Sequence, residues 1–272
     1  MRINTNMMAL NASNKLVGNQ NAVQKSIGKL SSGYRINSAA DDASGLAISE
    51  KMRSQIRGLN QAEANAQDGI SLIQTAEGAL QQTTDILQRM RELVIKTEND
   101  GVLSQEDKDA VGVEIEALKA EVDRIAESTT FNGKMLLTGE WKDTGLTFKI
   151  GANTYTCDTL TVTIGGMSAA SLNIAGISIG DAPAALKSID KAIIQVSSQR
   201  AKLGAIQNRM EYSIENLSTT AENLTNAESR IRDVDMADEM VNFTKNNILQ
   251  QSAMSMLAQA NQQPQQILSL LQ

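Results

Sequence analysis

The chain contains no histidine, one cysteine and two prolines in 272 residues, and only 3% of its residues are aromatic. Without histidine there is no ordinary general base, no common zinc ligand and no HExxH metalloprotease motif. The single Cys157 cannot close an intramolecular disulfide, so it does not report the redox compartment. It has no basic neighbour in sequence to lower its pKa, which argues against a nucleophile, and the position is expected to be dispensable. Neither GxxxxGK[ST] nor GxGxxG occurs, so no loop is available to cradle phosphate. No run of about eighteen apolar residues is present to span or insert into a membrane. A net charge of −6, a pI near 4.9 and the absence of a Lys/Arg block argue against nucleic acid as a partner. The opening stretch MRINTNMMALNASNKL lacks the apolar core and small-residue cleavage site of a secretory signal. That argues against the general secretory route but not against export by another machine.

Two acidic clusters and one methionine cluster are the remaining candidates for chemistry. Asp41 and Asp42 are better explained as helix caps than as a cation site. Asp233, Asp235, Asp238 and Glu239 lack the glycine of a calcium loop and sit in a helical pattern. They are expected to form a solvated or inter-subunit face pairing with Arg230 and Arg232. Met236, Met240, Met254 and Met256 have no Cys or His beside them. They read as adaptable packing against a partner or as ordinary seam positions. No catalytic constellation and no cofactor site emerges.

What the chain has in quantity is a seven-residue apolar repeat. One stretch reads Met52, Leu59, Ala66, Ile73, Leu80, Leu87, Val94, and a later one Ile189, Val196, Leu203, Met210, Leu217, Leu224, Ile231. Such a repeat marks helices that bury a seam against other helices. The simplest partner for each stretch is the other. The two prolines, Pro183 and Pro264, leave the first 182 residues with nothing that forces a helix to end.

The first helix is expected from Ile3 to about Leu30, with a loop at Ser31–Asn37 and a long second helix from about Ala43 to Glu98. Ser104-Gln105-Glu106-Asp107 resembles a capping box before a third helix, whose seam is Val111, Ile115, Leu118, Val122 and Ile125. Phe131-Asn132-Gly133-Lys134 reads as a turn. The period then drops to two, and strands are expected at Leu146–Ile150, Thr154–Cys157, Leu160–Ile164 and Leu172–Ile179. Asp181 and Pro183 restart a helix that runs to about Ile231. After a break near Arg232–Asp235 it continues to Leu257, and 261–266 is read as a polar tail. The expected fold is mostly α: a long antiparallel coiled-coil or helical-bundle rod with a small β-hairpin element at its tip and both termini at one end.

The segments Met1–Asn6, Leu30-Ser31-Ser32-Gly33-Tyr34-Arg35-Ile36-Asn37 through Ser49, and Asn65-Ala66-Gln67-Asp68-Gly69-Ile70-Ser71 resemble the amino-terminal signature of bacterial flagellin. Leu203-Gly204-Ala205-Ile206-Gln207-Asn208-Arg209, the run Glu228–Met240 and the Gln-rich tail with Ile267–Leu271 resemble its carboxy-terminal signature. The likeness covers about 1–138 and 184–272.

The resemblance implies a non-enzymatic filament subunit of the short form, without variable outer domains. Segments 1–44 and 229–272 would form the inner coiled-coil layer, 45–138 and 184–228 the rod, and 139–183 the β-hairpin region. The seam would comprise Met52, Leu59, Ile73, Leu80, Val94, Ile189, Val196, Leu203, Met210, Leu217 and Leu224. Polymerisation would use Ile3, Met7, Leu10, Val17, Ile27, Ile248, Leu249 and Leu257. The amphipathic ends would order only on packing against other copies.

Implied partners are other copies of the chain, an export chaperone at the carboxy-terminal helix, and filament cap and hook-junction proteins. Leu87-Gln88-Arg89-Met90-Arg91-Glu92-Leu93 also resembles the segment read by the vertebrate Toll-like flagellin receptor. Leu87, Arg89, Leu93 and Glu114 carry over, while Lys96 stands where a glutamine is usual. The implied location is the extracellular filament, reached without a cleavable signal. The alternatives are a hook–filament junction protein of the same architecture, a type III translocator and a cytosolic enzyme.

Overall fold

The computed structural model describes residues 6–99, 104–153, 155–178 and 181–270, with the side chains of 264–270 left aside. The described chain is mostly helical: α1 (Met7–Ser32), α2 (Ala43–Thr97), α3 (Gln105–Ser128), α4 (Ala182–Arg232) and α5 (Met236–Leu270). Four short strands form two antiparallel pairs, β1 (Thr130–Phe131) with β2 (Lys134–Met135) and β3 (Leu146–Lys149) with β4 (Thr159–Val162). The elements gather into two compact units, Met1–Ile56 with Glu222–Gln272, and Arg57–Ala221.

The unit Arg57–Ala221 carries the larger core. Ile73, Leu80, Leu87 and Val94 of α2 and Ile189, Val196, Leu203 and Met210 of α4 are all fully buried in one cluster. Met52 and Leu224, at the outer ends of the two repeats, are half-buried. The two helices run antiparallel, since Arg91 pairs with Asp190 at 2.9 Å and Glu77 with Arg200 at 3.6 Å. Each aliphatic seam side chain contributes roughly 1.5–3 kcal/mol on burial, so the heptad is the main source of cohesion. The two repeats are therefore each other's partners.

The chain then turns back into α3, whose start is set by the expected capping box. The Asp107 backbone N–H donates to Ser104 Oγ at 3.2 Å, and the Ser104 N–H donates to Asp107 Oδ2 at 3.0 Å. Val111, Ile115 and Val122 are buried as expected, Leu118 and Ile125 are half-buried against the same core, and Lys119 and Ala126 are buried beside them. The inner face of α3 is thus wider than the expected seam, and it also receives the segment that follows β4.

Asn132 (φ 49°) and Gly133 (φ 76°) both adopt left-handed backbone, which joins β1 to β2 in a two-residue turn whose twist suits a hairpin. Leu146 pairs with Val162 and Lys149 with Thr159, close to two of the expected strands. The other two expectations fail. Thr154 lies outside the described residues, and Thr156–Asp158 form a single 3₁₀ turn. Residues 172–178 form successive turns, with the Ile174 N–H donating to Ala169 O and the Ile177 N–H to Ile174 O; Ile179 is not described. Leu172, Ile174 and Ile177 alternate because they enter the core, not because a strand lies alongside. The carbonyl of Ile177 is taken instead by the Lys119 ammonium at 2.6 Å.

In the other unit, α1 and α5 lie antiparallel, held at one end by a hydrogen bond from Asn6 to Ala260 and towards the other by Lys29 and Glu239 at 3.7 Å. Gly33 (φ +73°) ends α1 two residues later than expected, its N–H donating to Lys29 O. The break between α4 and α5 falls where the sequence predicts. There Tyr34 bridges to Asp233, the Arg35 N–H donates to Arg232 O at 2.6 Å, and the Val234 N–H donates to Gly33 O at 3.0 Å.

Asp233, Asp235 and Asp238 are exposed as expected, but the pairing with Arg230 and Arg232 is not what the structure shows. Arg232 reaches Glu50 at 3.0 Å and stacks 4.6 Å from the Tyr34 ring centroid, while Arg230 donates to Asn226 O. Asp233 accepts from Ser229, Asp235 caps α5 through the Ala237 N–H, and Glu239 pairs with Lys29. Asp42 caps α2 through the Gly45 N–H at 2.8 Å. Asp41 instead closes the preceding turn by accepting from the N–H groups of Asn37 and Ser38.

α5 does not stop at Leu257 but continues to Leu270 through Pro264. A proline inside a helix leaves the carbonyl four residues earlier without its donor. That carbonyl belongs to Ala260, and Asn6 Nδ2 donates to it at 2.7 Å. The polar run 261–266 is therefore helix rather than tail.

Candidate functional site

The exposed faces of α1 and α5 carry most of the large apolar side chains that stand in solvent among the described residues. Met7, Leu10, Val17 and Ile27 on α1 and Ile248 and Leu249 on α5 stand in solvent, Met7 56% and Ile248 58% exposed; Leu257 is half-buried. Ile3 lies outside the described residues. Met8, Met236, Met240, Val241, Met254 and Met256 add to the same population, with Met256 69% exposed. Between the helices runs a groove of about 560 Å³ whose lining includes Met8, Ala12, Lys15, Leu249, Ala253 and Met256.

The local cause is visible in the sequence of these helices. α1 and α5 each carry more apolar positions than one partner helix can cover. The described core of this unit is correspondingly small: the fully buried side chains are Ser26, Ile36, Ser49 and Ala260. Exposed apolar side chains in this number on two packed helices exceed the scattered ones that a protein surface ordinarily carries.

The segment with receptor resemblance divides in two. Leu87 and Leu93 are core residues of the bundle. Arg89 and Glu114 are exposed and side by side, Arg89 Nη2 donating to Glu114 Oε1 at 3.0 Å with Glu92 at 3.4 Å. The Glu114 carboxylate, and Glu92 less strongly, hold the Arg89 guanidinium above its ordinary pKa. Lys96 is exposed one turn further on.

Cys157 is exposed, its Sγ 3.7 Å from Asp158 Oδ1. Among the described residues no group of three or more His, Cys, Asp or Glu converges to hold a metal. No helix among them is long and apolar enough to cross a membrane.

Sequence reasoning missed three polar side chains that tie the stretch 163–177 to the bundle. Gln199 Nε2 donates to Thr163 O at 2.9 Å, Asp123 Oδ1 accepts from the Ala169 N–H at 2.7 Å, and Lys119 Nζ donates to Ile177 O and, at 3.4 Å, to Ala175 O. Lys119 is 6% exposed. The available signal was phase: Lys119 follows Ile115 by four and Gln199 follows Val196 by three, which puts both on the inner face.

A helix pair that leaves its apolar face in solvent, carried by a chain whose bundle has a complete core of its own, defines a self-associating structural protein. Residues 3–142 match the bacterial flagellin N-terminal helical region, and residues 186–271 match the bacterial flagellin C-terminal helical region. The chain belongs to the bacterial flagellin family.

It is 54% identical to the flagellin of Bacillus subtilis and 51% identical to that of Halalkalibacterium halodurans, with all of both chains covered in each case. It is also 52% identical to the flagellar filament 33 kDa core protein of Treponema phagedenis, again over the whole of both chains. Among solved structures, a chain described as a flagellar hook-associated protein from Vibrio parahaemolyticus superposes with a TM-score of 0.60. It covers 71% of this chain and all of its own, at 14% identity, and so shares the fold alone. Membership makes this chain a structural protein of the flagellar filament and not an enzyme. The junction-protein alternative is not favoured, because full-length identity lies with the flagellins.

Proposed function

We propose that the chain polymerises into the filament through the exposed apolar faces of α1 and α5. The observation that carries this reading is the row of solvent-facing Met7, Leu10, Val17, Ile248 and Leu249 on helices whose mutual contact leaves them uncovered. Packing against other copies removes that surface from water at about 25 cal/mol per Å² and offsets the cost of ordering the chain ends. A head-to-tail contact that does not close on itself then propagates as a helical fibre. In the assembled tube, 1–44 and 229–272 form the inner layer, 45–138 and 184–228 the surrounding shell, and 139–183 its hairpin region.

The same reading supplies the finer partners. The subunit leaves the cell unfolded through the flagellar type III apparatus without a cleavable signal and is found in the extracellular filament. An export chaperone covers the apolar face of α5 before assembly, and cap and hook-junction proteins meet the same face at the filament ends. The exposed Arg89–Glu114 pair is the part of the receptor-like segment available to a Toll-like receptor on the free subunit.

Seeded assembly tests the proposal. Purified chain added to short seeds of its own filaments should grow long uniform tubes, followed by pelleting and negative-stain microscopy. Replacing Leu10, Val17 and Ile248 with serine should abolish growth while the thermal unfolding of the bundle is unchanged. Growth of the triple variant at the unaltered rate would refute the role of this face.

A further inference from the structure

Away from α1 and α5, one flank of α4 carries a groove that the bundle's own packing does not use. Its volume is about 510 Å³, and it is lined by Lys142 from the segment after β2 and by Lys191, Ile194, Gln195, Ser198 and Lys202 of α4, among others. All six side chains are exposed, Ile194 at 67%. Elsewhere along α4, Arg200 reaches Glu77 of α2 and Asp190 takes Arg91 of α2. Lys142, Lys191 and Lys202 have no carboxylate partner among the described residues. Three uncompensated ammonium groups around one exposed isoleucine, on a chain of net charge −6, form a local inversion of the molecule's charge.

The complementary surface lies on the same helix. Glu211 and Glu215 are exposed and one turn apart, and neither has a cationic partner among the described residues; Glu211 only accepts from Gln207 at 2.9 Å. At about 100° per residue they fall on the other side of the buried Val196–Leu203–Met210 seam from Lys191 and Lys202. Next to them Tyr212 is 73% exposed, an aromatic surface matched in kind to Ile194. The lysines on one side of α4 and the glutamates on the other cannot meet within one molecule, while Ile194 and Tyr212, five turns apart, share the outward face between them. Lysines and glutamates can meet between two copies related by a rotation and translation, which is the heterologous contact an open polymer repeats.

We propose that the Lys142–Lys191–Lys202 groove receives the Glu211–Tyr212–Glu215 flank of a second copy of the chain. This rests on the filament reading and deepens it, adding a charge-steered contact in the unit Arg57–Ala221 to the apolar contact made by α1 and α5. The lysines favour an acidic flank over a basic one, because opposite charges steer the approach and like charges opposed would cost affinity.

The test is charge reversal in seeded elongation of the full chain, on seeds of the unaltered protein. Lys191→Glu with Lys202→Glu, and separately Glu211→Lys with Glu215→Lys, should each raise the critical concentration by about tenfold or more, the equivalent of about 1.4 kcal/mol per added subunit. All four positions are exposed, so thermal unfolding followed by circular dichroism should stay at the unaltered midpoint. The chain carrying all four reversals, grown on seeds of itself, should recover to within about threefold of the unaltered critical concentration. Reversal variants that elongate like the unaltered chain would overturn the groove, as would a four-fold variant no better than either pair. Failure of the unaltered chain on its own seeds would overturn the filament reading, and the groove with it.

Discussion

Asn6 and Ala260 are joined across 254 residues of sequence by a hydrogen bond of 2.7 Å from the side-chain amide of one to the backbone carbonyl of the other. The same asparagine caps α1, its Oδ1 accepting from the Ala9 N–H at 3.0 Å. One side chain thus satisfies an orphan donor at the start of α1 and the carbonyl that Pro264 leaves orphaned in α5. Asn6→Ala should destabilise the α1–α5 pair by about 2 kcal/mol, about half from the lost cap and half from the lost bond. In a Pro264→Ala background the residue at 264 supplies its own N–H, and the cost of Asn6→Ala should fall to about 1 kcal/mol. Heat depolymerisation of filaments of the four chains gives the coupling.

Lys119 should prove more important than any exposed charge of α3. Lys119→Met keeps the stem but leaves the Ile177 carbonyl without its donor, and should destabilise the bundle by about 2 kcal/mol or more. Its partner Glu116 is exposed, so Glu116→Gln should change stability by no more than about 0.5 kcal/mol. Urea unfolding of the two variants separates the buried bond from the surface pair.

Two glycines in the interior of α2 should respond with opposite sign. A Cβ at Gly78 meets nothing within 4 Å, so Gly78→Ala should stabilise by about 0.5–1 kcal/mol through helix propensity. A Cβ at Gly69 would approach Met210 Cε to 2.9 Å and Sδ to 3.1 Å, with Phe148 Cδ1 at 3.2 Å. Met210 can yield at its tip but Phe148 must shift as well, so overpacking outweighs propensity and Gly69→Ala should destabilise by about 1 kcal/mol. Thermal unfolding midpoints of the two variants should move apart.

Acid should fray α3 from its first turn. The Ser104 hydroxyl and N–H lower the Asp107 pKa below its ordinary 3.8. A depressed folded-state pKa stabilises above the unfolded value, and that contribution is lost as pH falls from about 3.8 through the lower folded value. Amide exchange in the first turn of α3 should therefore accelerate below pH 4 relative to the helix centre. In Ser104→Ala this pH dependence should weaken, because the main cause of the shift is removed.

Much of the architecture could be read from residue order. The heptads beginning at Met52 and Ile189, the capping box at Ser104, the turn at Asn132-Gly133 and the break near Arg232 each depend on contacts within a few residues or on one periodic partner. The errors share a different origin. Leu172–Ile179 reads like a strand, yet the carbonyls of Ala175 and Ile177 are met by Lys119 from α3. Residues 261–266 look like a tail because the stretch is polar and proline disfavours a helix interior, yet Asn6 supplies the donor that Ala260 O lacks. The charges near Arg232 could not be paired from sequence, because Glu50 comes from a helix 182 residues earlier.

Sequence alone determined that this chain would be helical, seamed by a seven-residue aliphatic repeat, poor in catalytic groups and richer in apolar positions at its ends than one molecule can bury. Those are properties of spacing and composition; the likeness to the flagellin family came instead from the signature segments near the two ends. Tertiary structure decided which polar groups enter the interior and which apolar ones stay outside. A lysine or an asparagine finds its carbonyl only when distant helices bring one into range, and no local pattern encodes that distance.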